Sequence, residues 1–282
     1  MFTILPIKGY IDQIDGFFCD GIHAGLKPNG NNDLGFIYTK EACTVAAIFT
    51  ENRFQAAPLK HFLAYEEGFK TNFVLINSKN ANALTGRKGI EDINTLFSKL
   101  NFDLINPVMS STGVIGNRLP IEKLVTGALK FDLTAKSGEN LSRAIMTTDA
   151  YPKTCLYEVK LEDGSSFKIG AVAKGAGMIN PNLATMLCFI CTDADVPYKD
   201  IKEALNKNKE TTFNAISVDG DTSTNDTVMV LANGKSNAYN KDAFCEALRL
   251  VMHDMAMLMV ADGEGAKKVA AFEVRNAATK ED

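Results

Sequence analysis

The 282-residue chain is 46% apolar and 23% charged, which suits one large core or two smaller ones and excludes a disordered polymer. A net charge of -4 gives no basic footprint for nucleic acid or an anionic membrane, leaving small-molecule chemistry or protein contacts. No apolar run is long enough for a bilayer span, and the start MFTILPIKGYIDQIDGFF lacks the basic region and cleavage site of a secretory signal. The cysteines are scattered rather than spaced as a disulfide framework, so a cytoplasmic, reducing location is expected.

Turn signals at Lys27, Pro28, Asn29 and Gly30 precede a strand over 34–39 and a second over 43–49, read together as a hairpin opening an α/β domain. AAPLKHFLAYEEGF has apolar residues at helical spacing, with Pro58 suited to a first turn. TNFVLINSKNANALTG follows as a buried strand ending in a polar loop. Helix over 90–100, strand over 106–116 ending in a glycine loop, helix over 119–130 and a short helix over 141–147 come next. Strands over 154–161 and 166–173 flank the turn EDGS as a hairpin. Beyond it lie an apolar strand, a helix over 199–211, the strand TVMVLA, a methionine-rich helix over 241–260 and a final strand VAAFEVRN. Mixed order without repeats argues for an α/β or α+β layered architecture.

The chain is organised around KGAGMINPNLATMLCFICTDA, residues 174–194, where a glycine-rich loop runs into a β-prone segment. Thr185, at that junction, is the candidate nucleophile. A threonine hydroxyl needs an adjacent base, and a cut between Ala184 and Thr185 would supply one in the new α-amine, whose pKa is about 7.7 to 8.0. Residue type and spacing alone favour the plainer reading, a β-former on a half-buried face. Cys188 and Cys191 form a CxxC inside the strand, where residues three apart face opposite sides, so a shared metal is not expected. VDGDTSTNDTV spaces Asp219, Asp221, Ser223 and Asn225 like a calcium loop, but Thr224 replaces the loop glycine and Val230 the bidentate glutamate. No metal is expected there.

KGAGMINPNLATML resembles the self-cleavage site of the ornithine acetyltransferase family, the bifunctional glutamate N-acetyltransferases of arginine biosynthesis. The likeness extends over essentially the whole chain through GFFCDGIHAGLKPNGNNDLGF, AAIFTENRFQAAPLK, ISVDGDTSTNDTVMVLANG and ADGEGA. It implies an α-β-β-α sandwich with a smaller second domain. It also implies self-cleavage into an α part, residues 1–184, and a β part, residues 185–282, assembled as an α2β2 heterotetramer. Thr185 would carry acetyl from N-acetylornithine to glutamate as an ester. Thr112 and Gly113, in SSTGVIG, would form the oxyanion hole through the Thr hydroxyl and the Gly amide. Thr148, Lys174 and Thr185 would bind substrate, and Glu264 would lie near the nucleophile and hold the substrate amine. No cofactor is implied, although some members use acetyl-CoA as a donor.

Two departures stand out. Lys79 replaces a usual glycine in NSKNANALTG, whose asparagines are expected to bond loop backbone. Family members continue past ADGEGA, whereas this sequence stops at Asp282, as a fragment or a truncated relative would. Two alternatives follow: an amidase or aminopeptidase with an N-terminal nucleophile, and a catalytically silent relative whose Ala184–Thr185 bond stays intact.

Overall fold

The computed structural model describes residues 1–180 and 186–279. Among the described residues, nine strands join one sheet in the order β1-β6-β7-β8-β9-β3-β4-β5, with β2 also on β3. Its spine is β3 (Leu34–Phe49), a 16-residue strand. The first half of β3 pairs antiparallel with β2 (Phe17–Ile22) and β4 (Lys70–Asn77); its second half pairs with β9 (Thr227–Ala232). The hairpin expected between residues 39 and 43 is therefore a single strand with a register shift between Tyr38 and Cys43. Exposed Lys40 and Glu41 mimic a turn in the sequence, but the Thr39 hydroxyl donates to the Glu41 carbonyl (2.7 Å) and the chain bends without reversing.

That bend folds the sheet back on itself. One half holds β1 (Phe2–Pro6), β6 (Lys153–Leu161), β7 (Ser166–Lys174), β8 (Leu187–Thr192) and β9; the other holds β2, β4, β5 (Val108–Ser111) and the start of β3. Ile37, Val74, Ile76 and Val108 meet Val172, Leu187, Phe189 and Met229 in the inner layer. Alternate residues face outward. Phe36, Phe73, Leu75 and Met109 are covered by α2 (Gly86–Ser98) and α3 (Ile121–Ala128), while Cys188, Ile190, Val228 and Val230 are covered by α5 (Tyr198–Lys209) and α6 (Lys241–Ala261). The result is helix, sheet, sheet, helix, the sandwich the resemblance implies. The smaller second domain has no sheet of its own among the described residues.

β8 and β9 are parallel and buried on both faces, which is why both read as unbroken apolar runs. Cys188 lies in the outer layer and Cys191 in the inner one, so the CxxC is divided between two cores as its spacing predicts. The methionines of α6 point the same way: Met252, Met255 and Met259 pack into the outer core. Two short helices complete the set, α1 (Ala57–Phe62), with proline in its first turn, and α4 (Gly138–Ala144). The expected strand VAAFEVRN does not form. Phe272 and Val274 are 92% and 76% exposed and no described strand pairs with this segment, so its β-prone residues have no ladder to join. No helix among the described residues is long and apolar enough to cross a membrane.

Candidate active site

Pro181 to Thr185, and with them the cleavage pair Ala184 and Thr185, lie outside the described residues; the groups on either side define the site. On the N-terminal side, β7 ends at Lys174, whose register partner in β8 is Leu187, itself abreast of Thr227 in β9. Lys174 is 3% exposed. Burial lowers its pKa, opposed by the nearby carboxylates of Asp149, Asp226 and Glu264, while Lys153 adds to the lowering.

The loop after Lys174 is pinned at three points. Gly175 N–H donates to Asp149 Oδ1 (2.7 Å), Met178 and Ile179 N–H donate to the Asp219 carboxylate (2.6 and 3.0 Å), and Glu264 N–H donates to the Ala176 carbonyl (2.6 Å). A Cβ at Gly177 would lie 2.8 Å from Glu264 Oε2, so the Glu264 carboxylate rests directly on the loop at this glycine. Glu264 thus lies on the Ala176–Gly177 stretch of the loop.

A buried ion triad holds the segment that carries Glu264. Lys153 Nζ is fully buried and donates to Asp149 Oδ1 (2.8 Å) and Asp262 Oδ2 (2.6 Å). Asp262 also accepts from Ala150 N–H (3.0 Å). Burial alone would push the Asp149 carboxyl up; Lys174, Lys153 and the Thr147 N–H outweigh it and hold the group below the usual carboxylate range. Thr148 stands exposed between Asp149 and Thr147, whose N–H donates to Asp149 Oδ2 (2.9 Å). The backbone on either side of Thr148 is therefore fixed.

The Thr112–Gly113 loop is built on β5, which runs parallel to β4. Thr112 N–H donates to the Asn77 carbonyl (3.0 Å) and Val114 N–H to that of Lys79 (3.1 Å), whereas Gly113 N–H donates to no group among the described residues. At Gly113, φ is +133° and a Cβ would sit 2.2 Å from the Lys79 carbonyl carbon, so no side chain fits. The NSKNANA asparagines brace this turn by bonding backbone: Asn77 Nδ2 donates to the Asn80 carbonyl (2.9 Å), and Asn80 Nδ2 to that of Arg118 (3.0 Å).

The two sides of the site are joined by consecutive residues of the TSTND string. Asn225 Nδ2 donates to the carbonyls of Ala81 (2.7 Å) and Ser111 (2.9 Å), fixing the start of the Thr112–Gly113 loop. Asp226 Oδ1 accepts from the N–H of Met186 (3.0 Å), the residue after Thr185. Asp226 is fully buried and its Oδ2 has no hydrogen-bond partner among the described residues; burial pushes its carboxyl well above the ordinary range, against the Met186 N–H and the charge on Lys174. Asp149, Lys153, Asp262, Asn225 and Asp226 were not singled out for the site from sequence. Their strings, TTDAYPK, ADGEGA and TSTND, carried the signal, but nothing in them separates a buried charge from a solvated one. No cluster of possible metal ligands occurs among the described residues, the calcium-like string included.

Comparison with known proteins decides the family. The ArgJ family model matches residues 18–282. This chain belongs to the ArgJ family. The ArgJ protein of Wolinella succinogenes, named as an arginine biosynthesis bifunctional protein, is 55% identical over 285 residues, covering 100% of this chain and 72% of the relative. The solved ArgJ structure from Bacillus halodurans is 32% identical, with a TM-score of 0.59, over 66% of this chain and 99% of that one. The ornithine acetyltransferase of Mycobacterium tuberculosis, solved with ornithine, is 27% identical, with a TM-score of 0.53, over 66% of this chain and 100% of that one. ArgJ membership makes this chain an enzyme of the type read from its sequence, an acetyltransferase of arginine biosynthesis acting on small molecules.

Proposed function

We propose that this chain moves acetyl from N-acetylornithine to glutamate through an ester on Thr185, which becomes a chain start when the bond after Ala184 is cut. The supporting observation is the convergence of fixed groups on both flanks of Thr185. Lys174 and Glu264 meet on the loop before it, and Asn225 and Asp226 tie the residue after it to the Thr112–Gly113 loop. A second observation favours the cut. The solved ArgJ and ornithine acetyltransferase chains are matched at 99% and 100% while covering 66% of this one, and cleavage after Ala184 would leave 184 of 282 residues, a similar share.

In the first half-reaction the Thr185 amine takes the hydroxyl proton as Oγ attacks the acetyl carbonyl. The oxyanion accepts from the Thr112 hydroxyl and the Gly113 N–H. The amide C–N bond then breaks, and the proton passes from the Thr185 amine to the departing α-amine of ornithine. Glutamate reverses these steps: its amine attacks the ester and Thr185 is released. Lys174 pairs with the α-carboxylate common to donor and acceptor, which lets one site serve both, and Glu264 attracts an amine. Acetyl-CoA would serve as a second donor, and the two cleavage products would assemble as an α2β2 heterotetramer in the cytoplasm.

Steady-state transfer of labelled acetyl from N-acetylornithine to glutamate tests the reading. Parallel double-reciprocal lines are expected; labelled acetate without N-acetylglutamate would replace the transferase with the amidase, and no release of label would leave the silent relative.

A further inference from the structure

Beside the oxyanion loop lies a cavity of about 470 Å3 walled by Lys27, Lys79, Arg143, Thr147 and Asp149, with the asparagine-rich turn after Lys27 as its rim. Its walls are continuous with the site. The Lys79 backbone packs on Gly113, and Asp149 holds the Gly175 N–H next to Lys174. Its charge is unbalanced: three cations face one carboxylate, and both Asp149 oxygens are already engaged by Lys153, Gly175 N–H and Thr147 N–H. Arg143 pairs with Glu139 (2.9 Å). Lys27 Nζ is fixed on the carbonyls of Asn32 (2.6 Å), Arg143 (3.3 Å) and Ala144 (3.3 Å), and burial lowers its pKa to about 8 despite Asp33. Lys79 is exposed and has no ion-pair partner among the described residues.

We propose that this cavity receives the side-chain carboxylate of the acyl acceptor and that Lys79 is the cation that pairs with it, a specificity-determining role that rests on the acetyl-transfer reading above. Donor and acceptor share an α-carboxylate but differ in the charge at the far end, ammonium in ornithine and carboxylate in glutamate. A net-positive cavity adjoining both Gly113 and the Lys174 loop distinguishes them. Its volume is that of a small-molecule subsite.

The test compares wild type with Lys79→Met and Lys79→Arg in the full chain, using N-acetylornithine as donor and glutamate, glutamine or ornithine as acceptor. For Lys79→Met the ratio of kcat/KM for glutamate to that for ornithine should fall about ten- to a hundred-fold, the size of one lost charged hydrogen bond. Glutamine should become nearly as good an acceptor as glutamate, and Lys79→Arg should restore most of the preference. A general loss of fold lowers all acceptors together and leaves the ratio unchanged, an outcome that overturns the proposal. So does a higher KM for acetyl-CoA with the glutamate ratio intact, which would assign the cavity to a donor phosphate. Calorimetric titration with glutarate keeps this separate from the transfer reading. Binding by wild type that is lost in Lys79→Met supports the subsite even if no acetyl moves, and equal binding by both refutes it.

Discussion

Replacing Lys153 by methionine probes the scaffold that holds Glu264 against the Ala176–Gly177 loop. The substitution keeps the apolar stem and removes an ammonium that is 0% exposed, stranding Asp149, also 0% exposed, and Asp262, 7% exposed. Removing one partner from a buried ion pair costs about 3–5 kcal/mol, because the remaining charge stays desolvated. Here the survivors keep other donors, Gly175 and Thr147 N–H on Asp149 and Ala150 N–H on Asp262, so the lower end, about 3 kcal/mol, is expected. That is a large part of the roughly 5–15 kcal/mol typical of a folded domain. Urea unfolding followed by circular dichroism measures it. Lys153→Met paired with Asp262→Asn should cost less than the two single variants together, because the second change removes one of the stranded charges. A loss under about 1 kcal/mol for Lys153→Met, or strict additivity, would refute the triad as a structural clamp.

Asp226→Asn should stabilise the protein increasingly as pH rises above about 4. The folded state raises the Asp226 pKa above its ordinary 3.8, so folding takes up a proton; this favours the fold below that value and is lost as pH rises. Asparagine is neutral throughout, and a stability difference flat between pH 4 and 7 would contradict the assignment. Gly113→Ala should lower kcat by about 10²–10³-fold, the cost of losing an oxyanion donor, because a Cβ 2.2 Å from the Lys79 carbonyl carbon must displace the loop; near-normal kcat would exclude Gly113 from that role. Asn225→Ala strands two carbonyls and should cost about 2–4 kcal/mol by denaturant midpoint, and an unchanged midpoint would remove the proposed link between the two halves of the site.

Much of this architecture was legible in the sequence because β-ladders and amphipathic helices impose periods. The β6–β7 hairpin and the apolar runs of β8 and β9 lie where pattern placed them. The β3 bend was not legible, since exposed Lys40 and Glu41 look the same in a bulge and in a turn. Nor was the absence of the VAAFEVRN strand, because β-propensity records fitness for a ladder and not whether a neighbour exists. In the site, Lys174, Gly113 and Glu264 were accessible only through motif resemblance. The reasons for their positions emerge from contacts between residues far apart in sequence: Lys153 with Asp262, Asn225 with Ser111, and Asp226 with Met186.

Intact-protein mass spectrometry of the purified chain beside Thr185→Ala, before and after N-acetylornithine, bears most directly on the central claim. Two masses dividing the wild-type chain between Ala184 and Thr185, with one acetyl gained on the second after substrate and neither event in the variant, is the predicted result. A single uncut mass that never gains acetyl would contradict the threonine-nucleophile account for this chain.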